Sequence, residues 1–369
     1  MKTASKLCLN GKQTPEFAFF ILRIVTFCLL LMLFCSCNNK ADTDKIAKTK
    51  PGKQFTILTI DRIRQTGFLK RIIPTFEQAS GCKVEVISCA GSSELMEYIK
   101  DPKSARKYDI ILGIDNSFFN DSAAYEAFSA STVLQKHPVN SASIIDPQNR
   151  VIPYGYGYLA MLYNEQKIPQ PPESFGELQD ARFLNQIVIC DPRNSGIGRA
   201  ALYWTIALFG NDGYQQFWKS IKKNIYTGKD TWQDALQTLN SQACGMAIGF
   251  TTTPAWILET QTNPVPIKAS LMKEGSFLYI EAAAIPIKAK RKALSEAFLT
   301  YLLSPEIQKY VAYDLGIYPA NESTPLPTQF SFAPFTAVTV NDNLKPENPL
   351  ENLTNWLDFW SRLFSLSPL

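Results

Sequence analysis

The stretch Cys244–Trp256, which reads C-G-M-A-I-G-F-T-T-T-P-A-W, decides the fold class of this chain. Met246 to Phe250 is a short apolar run of the kind that forms a strand buried on both faces. Thr253 is predicted to be the N-cap of a following helix, with Pro254 at the first helical position, where its missing N–H costs nothing. The chain therefore leaves a buried strand at its carboxyl end and enters a helix directly.

Phe250 and the hydroxyls of Thr251, Thr252 and Thr253 stand at the start of that predicted helix. In open α/β sheets, ligands bind at the carboxyl ends of strands and at helix N-termini. These four residues are therefore candidate ligand-binding residues. An ordinary strand-to-helix turn with a threonine cap explains the same residues, and such turns are common.

Strand and helix patterns alternate on the N-terminal side of this stretch. Apolar runs predict strands at residues 55–60, 83–88 and 108–114, and helical spacing predicts helices at residues 67–80 and 94–99. This alternation predicts an α/β protein with mixed, mainly parallel sheets. No G-x-G-x-x-G or Walker A loop occurs, so a nucleotide site has no support in the sequence.

Residues 151–164 read V-I-P-Y-G-Y-G-Y-L-A-M-L-Y-N and form an extended segment. Tyr154, Tyr156 and Tyr158 occupy alternate positions, which predicts that all three point to one face of a strand. The glycines between them make the other face small. A strand that crosses between two lobes has this pattern, and so does an edge strand with tyrosines at the surface.

A second candidate ligand site follows a predicted strand at residues 187–190. The chain continues D-P-R-N-S-G-I-G, in which Ser195 is a candidate N-cap and Gly196 lets a ligand approach the backbone. A helix that begins in this way is receptive to anions. Many capped helices share the pattern, so it is weak when taken alone.

Two further residues suit either a ligand site or the core. Trp232 is predicted in the first turn of a helix over residues 231–239, where it either faces a cleft or packs against the core. Glu281 is a lone carboxylate in the apolar run F-L-Y-I-E-A-A-A-I-P. A buried charge needs a partner, which here is either a basic side chain or a cationic ligand.

The composition narrows the function classes. The sequence has 37 Lys and Arg against 33 Asp and Glu, an excess too small to suggest a nucleic-acid partner. His137 is the only histidine, so a catalytic triad or a histidine-rich metal site would rest on this one residue. We therefore predict no metal and no cofactor. The four cysteines after the leader, Cys82, Cys89, Cys190 and Cys244, lie in apolar runs and are predicted to be small core residues.

The N-terminus has the pattern of an export signal. Residues 1–36 combine a basic start with an apolar run at 24–34 that is too short to span a bilayer. Ser36 precedes Cys37, which predicts a lipoprotein signal peptide, cleavage before Cys37 and its lipidation, with residues 37–54 as a flexible tether. An uncleaved signal anchor and a plain secretory signal are the alternatives.

These pieces in this order resemble the solute-binding proteins of ABC transporters, and within them the thiamine-binding family. The resemblance extends over most of residues 55–365. It is carried by Y-D-I-I-L-G-I-D-N at 108–116, P-Y-G-Y-G-Y at 153–158, D-P-R-N-S at 191–195, Trp232, F-T-T-T-P-A-W at 250–256, Y-I-E-A at 279–282 and S-P-E-I-Q at 304–308.

The resemblance implies a two-lobed type II periplasmic binding protein fold with a hinge between the lobes. Lobe 1 is expected to comprise residues 55–153 and 277–369, and lobe 2 residues 154–276. It further implies a monomer on the periplasmic side of the cell envelope, anchored to the membrane through the lipid on Cys37. The protein is expected to bind a small molecule rather than to act as an enzyme. Its partners are expected to be a permease and an ATPase that respond to hinge closure on the ligand.

By the same resemblance, the ligand contacts are expected at Gly91 and Ser92 in lobe 1 and at Ser195, Gly196, Trp232, Phe250, Thr251, Thr252 and Thr253 in lobe 2. The chemistry of thiamine, a cationic heterocycle, agrees with this set. Aromatic faces suit its cation, and Asp61, Asp115 and Glu281 offer negative charge. Tyr156 and Trp256 complete the candidate set, although packing explains them equally well.

Three departures from the family pattern affect the expected ligand. Gly91 and Ser92 stand where the family usually has an acidic residue, Ile60 replaces an aromatic residue, and Gly316 replaces a tryptophan. The site thereby loses a charge and two rings. The hypothesis is therefore a phosphorylated thiamine or a related cationic heterocycle, with phosphate oxygens at the helix starts near Ser92, Ser195 and Thr253.

Two other functions are alternatives to thiamine binding. An iron(III)-binding protein of the same superfamily would use adjacent tyrosines, and no Tyr-Tyr pair occurs in this sequence. A thiamine-degrading enzyme would use a cysteine nucleophile with an acidic base, for which Cys89 and Glu281 are the candidates. No cationic neighbour is evident in the sequence to lower the pKa of Cys89.

Overall fold

A computed structural model describes residues 54–101, 107–116 and 122–364. The predicted signal peptide, Cys37 and residues 37–53 of the tether lie outside these ranges, so those assignments stay predictions. The first strand already begins at Gln54, the residue predicted to end the tether. Within the described ranges, no helix has the length and apolar character needed to cross a membrane.

Strands and helices alternate along most of the described chain. The strands are β1 Gln54–Ile60, β2 Lys83–Cys89, β3 Ile110–Asp115, β4 Phe128–Ser129, β5 Val151–Asn164, β6 Ile187–Cys190, β7 Ile225–Lys229, β8 Met246–Phe250, β9 Ile267–Ser270, β10 Leu278–Pro286 and β11 Tyr318–Pro319. The α-helices are α1 Asp61–Gln65, α2 Phe68–Ser80, α3 Ser92–Lys100, α4 Ser122–Tyr125, α5 Gly196–Ile221, α6 Trp232–Asn240, α7 Thr253–Thr260, α8 Lys292–Leu302, α9 Pro305–Tyr310 and α10 Pro349–Phe364. A π-helical turn, Val311–Leu315, follows α9.

The described strands form one mixed sheet in the order β2-β1-β3-β10-β5-β8-β6-β7. Strands β1, β2 and β3 are parallel at one end, and β6, β7 and β8 are parallel at the other. The two long strands β5 and β10 are antiparallel to their neighbours. The α/β class and the mixed sheet are confirmed, and the predicted parallel pairing is confined to the two ends of the sheet.

Strand β5 belongs to both halves of the sheet. Its first part, up to Tyr158, pairs with β10, and its second part, from Leu159, pairs with β8 and β9. The 14-residue strand is buried along almost its whole length, which explains why its sequence is almost entirely apolar or aromatic. These pairings support a crossing strand rather than an edge strand at residues 151–164.

The prediction that three tyrosines of β5 share one face is wrong for Tyr154. The pairing of β5 with β10 shifts register between Glu281 and Ala282, so Tyr154 has no direct partner on β10. Such an irregularity turns the side chain to the other face. Tyr154 therefore reaches the Glu281 carboxylate, whereas Tyr156 and Tyr158 pack against Leu278 and Ile280 on the opposite face.

The two glycines of the Y-G-Y-G-Y segment make room for core side chains, as predicted. A Cβ atom at Gly157 would lie 2.7 Å from the ring of Phe250, and one at Gly155 would lie 2.7 Å from Ile317. The backbone at both glycines has no positive φ angle. Small size, rather than backbone freedom, therefore explains both residues.

The C-terminal helix packs on a helix of predicted lobe 2, and the limits of the lobes stay a prediction. Helix α10 was assigned with residues 277–369 to lobe 1, but it packs on α5, within the residues assigned to lobe 2. The ring centroids of Trp360 and Trp218 lie 4.7 Å apart, and Trp356 Nε1 donates a hydrogen bond of 2.6 Å to Asn211. Apolar residues at helical spacing between Leu353 and Phe364 predict an amphipathic helix packed on the core, but this spacing carries no information about the element on which it packs.

The sequence predicts one helix that ends at Phe209, before Gly210, and a second helix at residues 214–220, and the structure has both as the two segments of α5. Gly210 has a φ angle of 68°, and the helix resumes on the far side and runs to Ile221. The predicted helix at residues 214–220 is therefore its second segment. Gly81, with a φ angle of 70°, does end α2, as predicted.

Candidate functional site

Two adjoining cavities lie beside the carboxyl ends of β1 and β8. The larger, here called the aromatic cavity, has a volume of about 670 Å³ and a size typical of ligand sites. Its aromatic and charged lining residues are Trp232, Phe250, Trp256, Tyr313, Arg62, Arg71, Glu259 and Asp314. The smaller, here called the narrow pocket, has a volume of about 50 Å³ and lies between the loop at Gly91 and the start of α5. Arg62, Gln65, Trp232 and Gln233 line both cavities.

Three aromatic residues of the candidate set meet in the aromatic cavity. Trp232 is the first residue of α6, and the Thr231 side chain caps that helix by accepting a hydrogen bond from Asp234 N. Phe250 ends β8, and its ring centroid lies 6.4 Å from that of Trp232. Trp256 lies one turn into α7 and lines the same cavity. The structure thus brings together the rings expected to receive a cation.

Trp256 is held in place by the turn that contains Gly316. Its indole Nε1 donates a hydrogen bond of 2.8 Å to Tyr313 O. A Cβ atom at Gly316 would lie 3.1 Å from the indole, and Gly316 has a φ angle of 71°. The resemblance implies that Gly316 stands where the family has a tryptophan, so that the site loses a ring there. In this structure, the ring of Trp256 fills the space beside Gly316.

The three threonines after β8 serve mainly the fold. Helix α7 begins at Thr253, so Thr252 and not Thr253 is its N-cap, and the Thr252 side chain makes no capping bond. Thr252 Oγ1 instead donates to Gly316 O at 2.6 Å, and Thr253 Oγ1 accepts from Phe250 N at 3.2 Å. Thr253 lines the aromatic cavity, whereas Thr251 and Thr252 are fully buried behind it.

The narrow pocket contains the other predicted group of site residues. Asp61, Gly91, Ser92, Ser195 and Gly196 all line it. The loops on its two sides touch, because Ser93 Oγ donates to Arg193 O at 2.6 Å and Arg199 Nη2 donates to Ser93 Oγ at 2.7 Å. These contacts leave little room for a ligand.

A carboxylate from the chain itself faces the start of α5. Ser195 Oγ caps this helix by accepting from Gly198 N at 3.2 Å, as predicted. Asp115 is buried and accepts a hydrogen bond of 2.7 Å from Ser92 Oγ, and a Cβ atom at Gly196 would overlap its Oδ2. A helix N-terminus attracts negative charge, and here Asp115 supplies it.

The start of α3 is complemented in a similar way. Glu94 lies in its first turn, and its Oε2 accepts a hydrogen bond of 2.7 Å from Ala90 N. An acidic residue at this position is favourable for the helix dipole. Both predicted anion sites, at Ser92 and at Ser195, are thus supplied with carboxylates from the chain.

Glu281 has the basic partner that its burial requires. Only 1% of its side chain is exposed, and Arg62 Nη2 forms an ion pair with its Oε1. Tyr154 and Tyr279 donate further hydrogen bonds of 3.1 and 3.2 Å to the same carboxylate. No sequence pattern identified Arg62 as the partner of Glu281. Its position directly after Asp61, at the end of β1, is the one local feature that indicates a site residue.

Tyr156 does not lie in either cavity. It faces the opposite side of the sheet, where its ring centroid is 5.5 Å from that of Tyr318 and 6.1 Å from that of Tyr158. Burial raises the pKa of Tyr156 above its ordinary value. The structure therefore separates this residue from the rest of the candidate set.

One ion pair of the aromatic cavity was not predicted. Arg71, in α2, places its Nε 3.1 Å from Asp314 Oδ1 and 2.9 Å from Oδ2. Burial raises the pKa of the Asp314 carboxyl, and Arg71 opposes that shift. The two residues are 243 positions apart in the sequence, so no local pattern connects them.

The surroundings of Cys89 do not favour a nucleophile. Burial, with a smaller contribution from the carboxylates of Glu94 and Asp61, raises the pKa of this thiol to about 12. Reactive cysteines need the opposite environment. All four cysteines of the described chain are buried and unpaired, as predicted. The described ranges contain no group of three or more His, Cys, Asp or Glu side chains suited to a metal ion.

The chain is similar in sequence to known thiamine-binding periplasmic proteins. The thiamine-binding periplasmic protein of Brucella melitensis is 27% identical over 310 residues, which cover 83% of this chain and 91% of the relative. That of Escherichia coli is 26% identical over 291 residues, which cover 79% of this chain and 86% of the relative.

Solved structures show the same fold. A periplasmic thiamin binding protein superposes with a TM-score of 0.74 at 22% identity, covering 86% of this chain and 98% of its own. The apo ferric ion-binding protein A of Pasteurella haemolytica superposes with a TM-score of 0.69 at 14% identity, covering 84% and 98%. At these identities the likeness shows the fold alone, which is the two-lobed type II fold of periplasmic binding proteins.

A family model decides the affiliation. The model described as bacterial extracellular solute-binding protein matches residues 105–358, which is more than half of the chain. The match includes β5, α5 and β8, the strand that ends at Phe250 beside the aromatic cavity. The chain therefore belongs to the family of bacterial extracellular solute-binding proteins.

Proposed function

We propose that this protein captures thiamine in the aromatic cavity and delivers it to the permease and ATPase of an ABC transporter. One observation carries the proposal: the aromatic rings of Trp232, Phe250 and Trp256 line one cavity, and carboxylates outnumber basic groups over this cavity and the adjoining narrow pocket taken together. The relatives from Brucella melitensis and Escherichia coli, both named thiamine-binding, support the choice of ligand.

The charges around the cleft favour a cation. Asp61, Asp230, Glu259 and Asp314 line the two cavities, against Arg62 and Arg71. Arg62 is already neutralised by Glu281. A cleft lined by an excess of one charge raises the local concentration of ligands of the opposite charge. A ring face adds about 0.5–2 kcal/mol to the binding of a cation. The thiazolium of thiamine has both the charge and the flat shape that such walls accept.

The geometry favours thiamine over its phosphate esters. The helix starts at Ser92 and Ser195 face Glu94 and Asp115, which would repel a phosphate. The hydroxyl of Thr253 is engaged with the backbone of its own turn. In place of the phosphorylated ligand expected from the sequence, we propose the unphosphorylated cation.

The proposed role is binding and not catalysis. The high pKa of Cys89 argues against the thiamine-degrading alternative. Iron-binding proteins share the fold, as the Pasteurella haemolytica structure illustrates, but the aromatic cavity offers rings rather than a cluster of metal ligands. Thiamine therefore fits the described residues better than iron(III).

The proposed location is the periplasm, with the protein held at the membrane by a lipid on Cys37. The periplasmic relatives support the location. We expect the chain to fractionate with membranes as a monomer and the Cys37→Ser variant to lose its lipid. Labelling with a clickable palmitate analogue in the native host tests this. A Cys37→Ser variant that is labelled as strongly as the wild type would contradict it.

Calorimetric titration of residues 38–369 tests the ligand. We expect thiamine to bind at micromolar concentration or below, and its monophosphate and diphosphate to bind more weakly. Trp232→Ala should weaken thiamine binding about tenfold or more, because it removes a ring face and its packing. Trp360→Phe, which changes a tryptophan that lines neither cavity, is the control. A folded protein that binds none of the three ligands would disprove the proposal.

A further inference from the structure

We propose that Arg71 is an internal competitor of the ligand: its guanidinium neutralises Asp314, and a bound cation takes its place. The proposal rests on the proposed function and deepens it by naming the counter-ion of the ligand. It also names the residue that limits the affinity.

Asp314 is a fixed carboxylate in the wall of the aromatic cavity. It lies in the π-helical turn Val311–Leu315, and only 7% of its side chain is exposed. A Cβ atom at Gly67 would lie 2.9 Å from Asp314 Oδ1, so the carboxylate packs against the backbone at the start of α2. This end of a helix carries partial positive charge, which stabilises the carboxylate. A carboxylate so placed needs a cationic partner on its open side.

Arg71 provides that partner but is weakly held. Its side chain is 55% exposed, and its guanidinium lies 5.6 Å from the ring centroid of Tyr310. An exposed arginine regains hydration when it swings into solvent, so breaking this pair costs little. The Arg62–Glu281 pair differs, because the two side chains are only 14% and 1% exposed. Of these two pairs in the cleft, the pair of Arg71 is therefore the one that a ligand can open.

Trp256 links the carboxylate to the aromatic wall. Its Nε1 donates to Tyr313 O, and Tyr313 directly precedes Asp314. Trp256, Asp314 and Arg71 all line the aromatic cavity. A cationic ring that stacks on Trp256 thus comes within the reach of Asp314. Exchange of one cation for another keeps the buried carboxylate paired before and after binding, and avoids the cost of an unpaired charge.

Removal of Arg71 tests the competition directly. We expect Arg71→Gln to bind thiamine about twofold to fivefold more tightly, the range set by an exposed ion pair. Lys70→Gln is the matched control, since it removes the same charge from the neighbouring exposed position of α2, outside both cavities. At physiological salt it should change the affinity by less than about 1.5-fold.

Asp314→Asn completes a double-mutant cycle. We expect it to weaken thiamine binding about tenfold, and we expect the gain from Arg71→Gln to disappear in the Asp314→Asn background. A gain that persists without the carboxylate would overturn the proposal. So would weaker thiamine binding by Arg71→Gln. If Arg71→Gln weakens only thiamine diphosphate, Arg71 is a phosphate ligand and the proposal is wrong. Thermal unfolding of each variant identifies any that fails to fold.

A second cation separates this proposal from the proposed function. Benzyltrimethylammonium carries an aromatic ring and a permanent charge but has none of the other groups of thiamine. If the wild type does not bind thiamine, yet Arg71→Gln binds this probe more tightly and only when Asp314 is present, the proposed function fails and the competition stands. If no variant binds either cation, the competition is also wrong.

Discussion

The narrow pocket and the aromatic cavity are neighbours in one cleft, yet they differ in what they leave available. In the narrow pocket, the helix starts at Ser92 and Ser195 meet carboxylates of the chain itself, and little space remains. In the aromatic cavity, Trp232, Phe250 and Trp256 surround a volume of about 670 Å³. In this protein, the helix starts therefore serve contacts between the two sides of the narrow pocket, whereas the aromatic rings are available to contact a ligand.

Glycines mark the contrast at the level of single atoms. At Gly91 and Gly196 a Cβ atom would overlap Asn194 O and Asp115 Oδ2, which belong to the opposing side of the narrow pocket. At Gly249 it would overlap the ring of Trp232. In the first case glycine lets two loops meet. In the second it lets a ring reach its place in the cavity wall.

The largest effect is expected from Phe250, which belongs to the cavity wall and to the core at once. It is 2% exposed and contacts Gly157, and its ring centroid lies 5.4 Å from that of Tyr279. We expect Phe250→Ala to lower the free energy of unfolding by about 3–5 kcal/mol, because it leaves a cavity in the core. Chemical denaturation measures this change.

Phe250→Leu separates the two roles of this side chain. It nearly conserves the volume, so the free energy of unfolding should fall by less than about 1.5 kcal/mol. Thiamine binding should still weaken, because leucine has no ring face for a cation. If Phe250→Leu binds thiamine as tightly as the wild type, the Phe250 ring contributes only packing. Trp232 and Trp256 would then be the rings of the candidate set left to contact a ligand.

The next largest effect is expected where the narrow pocket is tightest. Gly196→Ala forces a methyl group against Asp115, so we expect a loss of about 1–3 kcal/mol in the free energy of unfolding. Gly176→Ala is the control, since its Cβ atom would have 3.9 Å to the nearest side chain and should cost less than about 0.5 kcal/mol. Thiamine affinity should fall less in Gly196→Ala than in Trp232→Ala. The reverse order would place the ligand in the narrow pocket.

The sequence predicted the elements of the cleft better than their contacts. The apolar run before Phe250, the capping residue Ser195 and the early-turn Trp232 are local patterns, and each stands in the element expected of it. Local patterns also place these elements at the carboxyl ends of buried strands. For that reason, local patterns identify Trp232 and Phe250 as candidate ligand-binding residues. Trp256 is a candidate through the resemblance.

Long-range pairs could not be predicted in this way. The pairing of Arg71 with Asp314, and of helix α10 with α5, joins segments far apart in the sequence, and no periodicity encodes either contact. The face of Tyr154 depends on a register shift opposite Glu281, which alternation alone does not reveal. The start of α5 was recognised correctly, but its charge partner, Asp115, comes from β3 and is not part of the local pattern.

Cys89 offers a test in which pH decides. Because burial raises the pKa of its thiol to about 12, the folded protein should carry almost no thiolate at pH 8. Its iodoacetamide labelling should be slow at pH 8, should rise with pH, and should become rapid at pH 8 in denaturant, where the ordinary pKa returns. Peptide mass spectrometry locates the label. Rapid labelling of Cys89 in the folded protein at pH 7 would revive the enzyme alternative.

The smallest effect is expected from Tyr156, and it sharpens the comparison by testing the far side of the sheet. Tyr156→Phe removes only a hydroxyl, in a cluster with Tyr158 and Tyr318 that lines neither cavity. We expect the affinity for thiamine to change by less than about twofold, since substitutions away from a site are usually worth under 0.5 kcal/mol. Tyr279→Phe, which removes a donor to Glu281 beside the narrow pocket, is the informative partner. If Tyr156→Phe weakens binding more than Tyr279→Phe does, the ligand uses the tyrosine face of β5, and both cavities described here lie on the wrong side of the sheet.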